Sequence, residues 1–453
     1  MNWENQNLWI LTEERPKREV IEKIITKSSE KKELEIKIKD LKILQSIADN
    51  IFYHIFEVKG FESKKIKKIF IKLISGSSSF VDFLIFLQDS EPKPEQILEN
   101  CFYAIEETKT SSKESRNTAM GQRSSKFSAL NYYIQKYKYN LQPVMYFSYK
   151  QSTEDNRSVN FVNRLLYHLE SGIEFWGKDS SNFKKFENLK ELIKEKNEIA
   201  KTNNRKSDTP IKITLNKNIL KISALLANPS KKIKKRYTGR IGHDPNIGQI
   251  SLLAKGIRSL GWKKRIIITN HQVKADKISG NKFTNFAKLL GIELQGLKIP
   301  ETDFKLDYWS YDQKNEKVAS ILAQLLLENK GMITIFDNHG GCEKSYFHAP
   351  DNEEIQISKK FSVDGGKIPD LVIRDDKEKI IYLYECKIIK NLEDGVKELD
   401  QFELFEKNYL DTYYKNFSYK RGLIINGGDE NNNSNIKFHL TKKSKIIRND
   451  EFC

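Results

Sequence analysis

The chain has 453 residues, of which 38% are hydrophobic and 11% aromatic, enough for two or three domains with cores of their own. Its 78 lysines and arginines outnumber 61 aspartates and glutamates, which gives a formal net charge of +17. This composition excludes a disordered chain and predicts a polyanionic partner, because basic side chains on phosphates release condensed counterions. A general lysine bias of the composition is the alternative explanation of the charge.

The spacing of the cysteines and the hydropathy of the chain predict its cellular compartment. Cys101, Cys342, Cys386 and Cys453 lack the paired spacing of zinc ligands and predict reduced thiols. No apolar run approaches the roughly 20 residues of a membrane helix, and the first residues lack the basic-then-apolar order of a signal peptide. We therefore expect a cytoplasmic protein without a membrane partner.

Residues 34–74 carry apolar side chains at a spacing that predicts two helices broken near Gly60. The next stretch, Phe80–Leu87, is typical of a buried strand, except for the single acid Asp82. A lone carboxylate in a buried strand is costly unless it is paired or binds a metal. Asp82 is therefore a candidate site residue.

The following predicted strand, Phe102–Thr110, carries Glu107 and Lys109 two residues apart, and alternation along a strand places both on one face. A helix over residues 118–136 and a strand over Pro143–Phe147 come next. An ordinary ion pair between the acids and nearby lysines is the alternative to a site here.

Basic and amide side chains occupy the loop and the first helical turns behind this strand. A helix start offers free N–H groups and the positive end of its dipole to a phosphate. We predict that the group contacts nucleic-acid phosphates, although each residue alone is as typical of a solvated basic helix. Its members are Lys113, Arg116, Gln122, Arg123 and Lys126.

The chain turns polar over residues 177–230, which predicts a connecting segment with one charged helix and an edge strand. We expect an N-terminal domain over 1–176 and a C-terminal domain over 231–453. In the latter, a buried strand ends at Asn270, His271 and Gln272. Asn and Gln amides pair bidentately with adenine, so this strand end is predicted to contact bases.

Two further strands flank a charged turn. Residues 365–373 contain Pro369 and Asp370, and residues 380–388 contain Glu385, Cys386 and Lys387. Alternation places Glu385 and Lys387 on one face and Cys386 on the other. If the strands pair, Asp370 lies beside them, and two carboxylates with an ammonium suit a hard cation such as Mg²⁺ and a phosphate oxygen. A hairpin with a surface ion pair is the alternative.

These strands lie within a longer series of elements. A strongly apolar helix over 316–328 and a strand over 332–336 precede them, and a helix over 392–410 and a strand over 421–425 follow. His339 and Glu343 after the first strand are further candidate ligands.

Pro369-Asp370 and Glu385-Cys386-Lys387 resemble the motif of the PD-(D/E)XK nuclease superfamily. Asp82, Glu107 and Lys109 resemble a second copy, with Val81 where the motif has proline. The implied fold class is α/β, in the α+β mixed-sheet form. Two nuclease cores are expected, each a mixed central sheet flanked by helices and joined by the polar segment. The resemblance also implies a further acid on the helix before the core sheet, for which Glu316 is the candidate and a surface position the alternative.

The resemblance also implies a function. The catalytic residues would be Asp82, Glu107 and Lys109 in one core and Asp370, Glu385 and Lys387 in the other, the four acids holding Mg²⁺, for which Mn²⁺ substitutes. The chain is similar to type II site-specific restriction endonucleases with two sites in one chain. The implied partners are double-stranded DNA and, in the same cell, a cognate DNA methyltransferase. A monomer would suffice for both cuts, and the resemblance leaves open whether the chain dimerises.

Two alternatives remain at this point. One nuclease core is active while the other is a degenerate DNA-recognition module. Otherwise the protein is a basic DNA-binding protein without enzymatic activity.

Overall fold

The computed structural model describes residues 6–12, 15–74, 81–93, 98–108, 120–148, 157–177, 184–202, 211–224, 245–270, 292–294, 316–338, 346–351, 353–358, 361 and 365–452. They divide into two compact units, with residues 12, 15–74 and 316–452 in unit 1 and residues 6–11 and 81–294 in unit 2. Each unit is a mixed α/β structure with helices on its sheets. None of the described helices is long and apolar enough to cross a membrane.

The elements of the first 270 residues are β1 (Gln6–Thr12), α1 (Arg18–Lys32), β2 (Lys37–Ala48), β3 (Ile51–Glu62), β4 (Ile66–Leu73), β5 (Phe83–Gln88), β6 (Cys101–Thr108), α2 (Met120–Tyr137), β7 (Gln142–Phe147), α3 (Arg157–Leu166), β8 (Glu174–Trp176), α4 (Leu189–Thr202), β9 (Lys212–Asn216), β10 (Ile219–Ala224), α5 (Pro245–Ser259) and β11 (Arg265–Asn270). The rest are β12 (Ile292–Leu294), α6 (Lys317–Asn329), β13 (Ile333–Asp337), β14 (Tyr346–His348), β15 (Glu354–Gln356), β16 (Leu371–Asp375), β17 (Ile380–Ile388), α7 (Leu392–Asp400), α8 (Phe402–Phe405), α9 (Asp411–Tyr413), β18 (Ser418–Asn426), β19 (Ile436–Leu440) and β20 (Ile446–Arg448).

The prediction of two helices over residues 34–74 was wrong, because β2, β3 and β4 form an antiparallel sheet there. The buried positions alternate, as with Ile69, Ile71 and Leu73 in β4. This spacing of two, together with the β-branched isoleucines, favours a half-buried strand over a helix.

Gly60 does not end an element but lies inside β3. Its φ is +82°, and a Cβ atom there would lie 1.7 Å from the carbonyl oxygen of Asp40 on β2. The β2–β3 register shifts between Ile38 and Lys42, opposite this glycine. Only glycine fits where the two backbones approach so closely at an irregular pairing.

The main sheet of unit 1 has six strands in the order β13-β16-β17-β18-β19-β20. Pairing is antiparallel from β13 to β17, parallel between β17 and β18 and between β18 and β19, and antiparallel again at β20. The parallel β17–β18 pair needs a crossover, and α7, α8 and α9 provide it. Phe402 and Phe405 of α8 share a buried cluster with Ile381, Leu383 and Leu423 of these two strands.

The crossover is less regular than the single helix predicted over 392–410. Between α8 and α9 one π-helical turn, Glu406–Leu410, interrupts the α-helical pattern. Its first residue, Glu406, is 5% exposed and accepts two hydrogen bonds from Arg421 of β18, at 2.7 and 2.6 Å. This bidentate pair ties the π-turn to the sheet.

Unit 2 contains two groups of paired strands. β5 pairs with β6 antiparallel, β6 with β7 parallel and β7 with β8 parallel, and α2 forms the crossover between β6 and β7. The second sheet has the order β12-β11-β10-β9. The stretch predicted as a polar connection contains α4 and the antiparallel pair β9–β10, and β10 pairs on its other side with β11. Helices α2 and α5 pack against each other.

His54 of β3 gives unit 1 a specific sensitivity to acid. Its Nε2 atom lies 2.9 Å from Ser444 Oγ, and burial, helped by Lys72, lowers the pKa of His54 to about 4. Between pH 6.5 and pH 4 the unfolded chain binds a proton here that the folded chain does not. The contribution of His54 to the free energy of unfolding is therefore complete well above pH 6.5. It falls as the pH is lowered, by about 3 kcal/mol at pH 4.

We predict that His54→Asn removes this loss. Asparagine does not titrate and tolerates the φ of 58° found at this position. Urea unfolding measured from pH 7 to pH 4 should show a steeper loss of unfolding free energy for the wild type than for the variant. Parallel pH profiles would contradict the assignment.

Candidate active site

The paired strands β16 and β17 bring Asp370 beside the Glu-Cys-Lys segment, as predicted from the sequence. Leu371 pairs with Tyr384, and the Asp370 N–H donates to the Tyr384 carbonyl oxygen at 3.0 Å. The Asp370 carboxylate turns back to the neighbouring strand, where its Oδ2 accepts a hydrogen bond from the Cys386 N–H at 3.0 Å. This contact fixes one carboxylate at the end of β16.

The side chains of β17 alternate between two helices on opposite faces of the sheet. Cys386 Sγ contacts Ser320 Oγ of α6 at 3.1 Å, whereas Lys387 reaches Glu398 of α7. Glu385, on the same face as Lys387, is 1% exposed. The predicted faces are confirmed. Glu385 and Lys387 form an ion pair, as the alternative expects, but its carboxylate is buried rather than at the surface.

Two lysines converge on the buried glutamate. The Nζ atoms of Lys387 and Lys367 both contact Glu385 Oε1, the latter at 2.9 Å. Both also contact Glu398 Oε2, at 2.8 Å from Lys387 and 3.0 Å from Lys367. Two ammonium groups are thus held between two carboxylates, and both lysines approach Glu385 through the same one of its two oxygens.

Burial dominates the electrostatics of the two candidate metal ligands. Burial and the neighbouring Asp370 carboxylate raise the pKa of Glu385 to about 8, although Lys367 and Lys387 oppose this. Burial likewise raises the pKa of Asp370, with a contribution from Glu316. Both acids therefore lack the solvation or positive charge that would fully stabilise them as anions.

The pKa of Lys387 moves in the opposite sense. Burial opposes its charge, but the contacts with Glu385 and Glu398 outweigh this and raise the pKa of Lys387. The ammonium group is therefore charged at neutral pH. It is a hydrogen-bond donor fixed next to the two acids.

These residues fit a divalent cation. Among the described residues Glu385 Oε2 is buried and makes no well-aligned hydrogen bond, while both lysines contact Oε1 and the Glu398 carboxylate lies within hydrogen-bond reach of Glu385. A buried carboxylate oxygen without a partner is costly, and a cation near it and Asp370 would remove that cost. In the described ranges no group of three or more His, Cys, Asp or Glu side chains is arranged so that it could hold a metal ion. Two carboxylates nevertheless suit Mg²⁺, which keeps several waters and takes substrate phosphate oxygens as ligands.

Sequence reasoning missed Lys367 and Glu398. Lys367 lies three residues before Asp370, in the stretch already singled out, but an extended segment does not show which side chains turn back to the site. Glu398 lies on α7, and only the packing of this helix on β17 brings it to the lysines. Spacing to the motif gave no signal for it.

Of the three other candidate ligands, one is among the described residues. Glu316 directly precedes α6 and lies close enough to raise the pKa of both Asp370 and Cys386. His339 and Glu343 lie outside the described residues.

In unit 2, Asp82 directly precedes β5 and is 8% exposed, and Glu107 near the end of β6 is 4% exposed. The Glu107 N–H donates to Asp82 Oδ2 at 2.6 Å, so the two acids predicted together are adjacent. The Glu107 carboxylate accepts a hydrogen bond from Ser148 Oγ at 2.5 Å. Lys109 lies outside the described residues.

Most of the predicted DNA contacts cannot be placed. Lys113, Arg116, His271 and Gln272 lie outside the described residues, as do the side chains of Gln122, Arg123 and Asn270. Lys126 is described on α2, 9% exposed, with its Nζ atom 2.7 Å from Glu106 Oε2.

Comparisons with known proteins found no relative of this chain. No family model matches the chain, and neither a curated protein nor a solved structure matches it.

Proposed function

We propose that this protein is a Mg²⁺-dependent endonuclease that hydrolyses phosphodiester bonds of double-stranded DNA, with unit 1 as a nuclease core of the PD-(D/E)XK type. The observation that carries the proposal is the convergence of Asp370, Glu385 and Lys387 at one end of a mixed sheet whose strand and helix order matches that expected of such a core. The net charge of +17 supports a polyanionic substrate.

The residues of the chain have separate tasks in this reaction. A bound Mg²⁺ would polarise the scissile phosphate and lower the pKa of a water. Asp370 and Glu385 would hold the cation, because their carboxylates converge at this end of the sheet and that of Glu385 is buried. Lys387 Nζ orients the attacking water and donates to the phosphate oxygen that gains negative charge. The water oxygen forms a bond to phosphorus and gives up a proton to solvent, while the bond from phosphorus to the sugar oxygen breaks and that oxygen takes up a proton from solvent.

Lys367 and Glu398 support this arrangement without acting on the substrate. Glu398 Oε2 contacts both lysines, and the attraction of its negative charge offsets the repulsion between the two ammonium groups. Lys367 neutralises part of the charge that remains when both acids are ionised. Together they hold Lys387 in a single position next to Glu385.

We further propose that the biological activity is type II restriction, with one site for each strand and a cognate methyltransferase that protects the host DNA. The second nuclease core would be in unit 2, where β5, β6, α2 and β7 repeat the order of β16, β17, the crossover helices and β18. A single chain with two sites can cut both strands without forming a dimer.

Incubation with supercoiled plasmid tests the activity. We expect linear products with Mg²⁺ or Mn²⁺ and none with a chelator, and a discrete set of fragments from a long sequenced DNA. DNA that is bound but never cut under these conditions would favour a basic DNA-binding protein instead.

A further inference from the structure

The registers of the two hairpins in units 1 and 2 can be compared residue by residue, starting from the acid that precedes each first strand. Asp370 precedes Leu371, which pairs with Tyr384, so Glu385 is the next residue on the second strand. Asp82 precedes Phe83, which pairs with Ile105. The residue that follows Ile105 is Glu106, not Glu107.

The hydrogen bonds of the two aspartates give the same alignment. Asp370 Oδ2 accepts from the N–H of Cys386, the residue after Glu385. Asp82 Oδ2 accepts from the N–H of Glu107, the residue after Glu106. Glu107 therefore has the position of Cys386, and Thr108 has the position of Lys387.

The faces of the strands agree as well. Glu385 lies on the face covered by the crossover helix α7, where it meets ammonium groups. Glu106 lies on the face that is approached by Lys126 of the crossover helix α2, whose Nζ atom is 2.7 Å from Glu106 Oε2. The lysine that β17 supplies in unit 1 is thus supplied by a helix in unit 2.

We infer that unit 2 contains a second catalytic site built from Asp82, Glu106 and Lys126, which binds a divalent cation and a DNA phosphodiester. Glu106 is 2% exposed and Lys126 is 9% exposed. A buried ion pair contributes little to folding compared with apolar residues of similar size, so stability alone does not account for it. The inference rests on the proposed nuclease function and moves the second site by one residue along β6.

The test uses Glu385→Gln as the parent, because this change leaves unit 2 as the only cutting site. The parent should convert supercoiled plasmid to nicked circles. Adding Glu106→Gln should reduce nicking by roughly a hundredfold or more, and adding Glu99→Gln, at an exposed glutamate just before β6, should leave it unchanged. Nicking that depends on Glu107 rather than Glu106, or a parent that does not nick at all although the wild type cuts, would overturn the inference.

Counting bound Mn²⁺ by titration calorimetry separates this inference from the nuclease proposal. The wild type should bind two Mn²⁺ per chain, and Glu106→Gln one. In the wild-type background, Lys126→Gln should still bind two Mn²⁺. Added to the Glu385→Gln parent, the same change should abolish nicking, and misfolding would not produce this combination. A wild type that binds two ions yet cuts no DNA would refute the nuclease and keep the site. A Glu106→Gln chain, folded by its melting curve, that still binds two ions would refute the site.

Discussion

Glu385→Gln is expected to abolish linearisation of plasmid and to leave nicked circles as the end product. The change removes the charge of a carboxylate that is 1% exposed and whose Oε2 is available to a cation. Loss of a metal ligand costs several kcal/mol of transition-state stabilisation, so the cut made by unit 1 should slow by roughly a thousandfold. The ratio of nicked to linear DNA over time measures this slowing of the unit 1 cut. Asp370→Ala should give the same products.

Glu378→Gln is the matched control for this prediction. It makes the same chemical change in the same hairpin, but Glu378 is exposed in the turn between β16 and β17. Its cleavage pattern should equal that of the wild type. If Glu385→Gln still linearises plasmid at the wild-type rate, unit 1 has no catalytic site of this kind.

Lys387→Met should reduce the same cut by roughly a hundredfold to ten-thousandfold while Mn²⁺ binding persists. Methionine keeps the apolar stem but removes the ammonium group that lies between Glu385 and Glu398. Because the two carboxylates remain, the cation still has its ligands. Single-turnover cleavage and calorimetric Mn²⁺ titration of the same preparation separate the two effects.

Two other lysines make this prediction specific. Lys390→Met, three residues away and exposed, should cut like the wild type. Lys367→Met should lose about ten- to a hundredfold, as expected for a residue that acts through its neighbours. An enzyme that tolerates Lys387→Met but not Lys367→Met would assign the catalytic ammonium to Lys367.

The hairpin that carries Asp370 and Glu385 was predictable because its signals are local. Runs of β-branched and aromatic residues on both sides of a charged turn specify two strands, and alternation specifies the faces. The same local signals explain the error over residues 34–74. Isoleucines in this stretch fit a helical spacing when chosen every three or four residues, but Ile69 and Ile71 already alternate as in a strand.

The surroundings of the site were less predictable because they depend on register and helix packing. Glu398 reaches the lysines only because α7 lies on the face of β17 that carries Glu385. In β6 two glutamates, Glu106 and Glu107, are adjacent, and only Glu107 is followed two residues later by the lysine of the motif. Only the pairing of Phe83 with Ile105 shows which of them corresponds to Glu385.

Cys386, enclosed between the two charged residues of β17, offers a chemical probe of the same sheet. Its thiol is 3% exposed and contacts Ser320, and burial raises the pKa of Cys386 well above its ordinary value. A protonated, enclosed thiol does not react with alkylating reagents. Labelling at this position therefore requires the sheet to separate from α6, and its rate would report how often the core of unit 1 opens under native conditions.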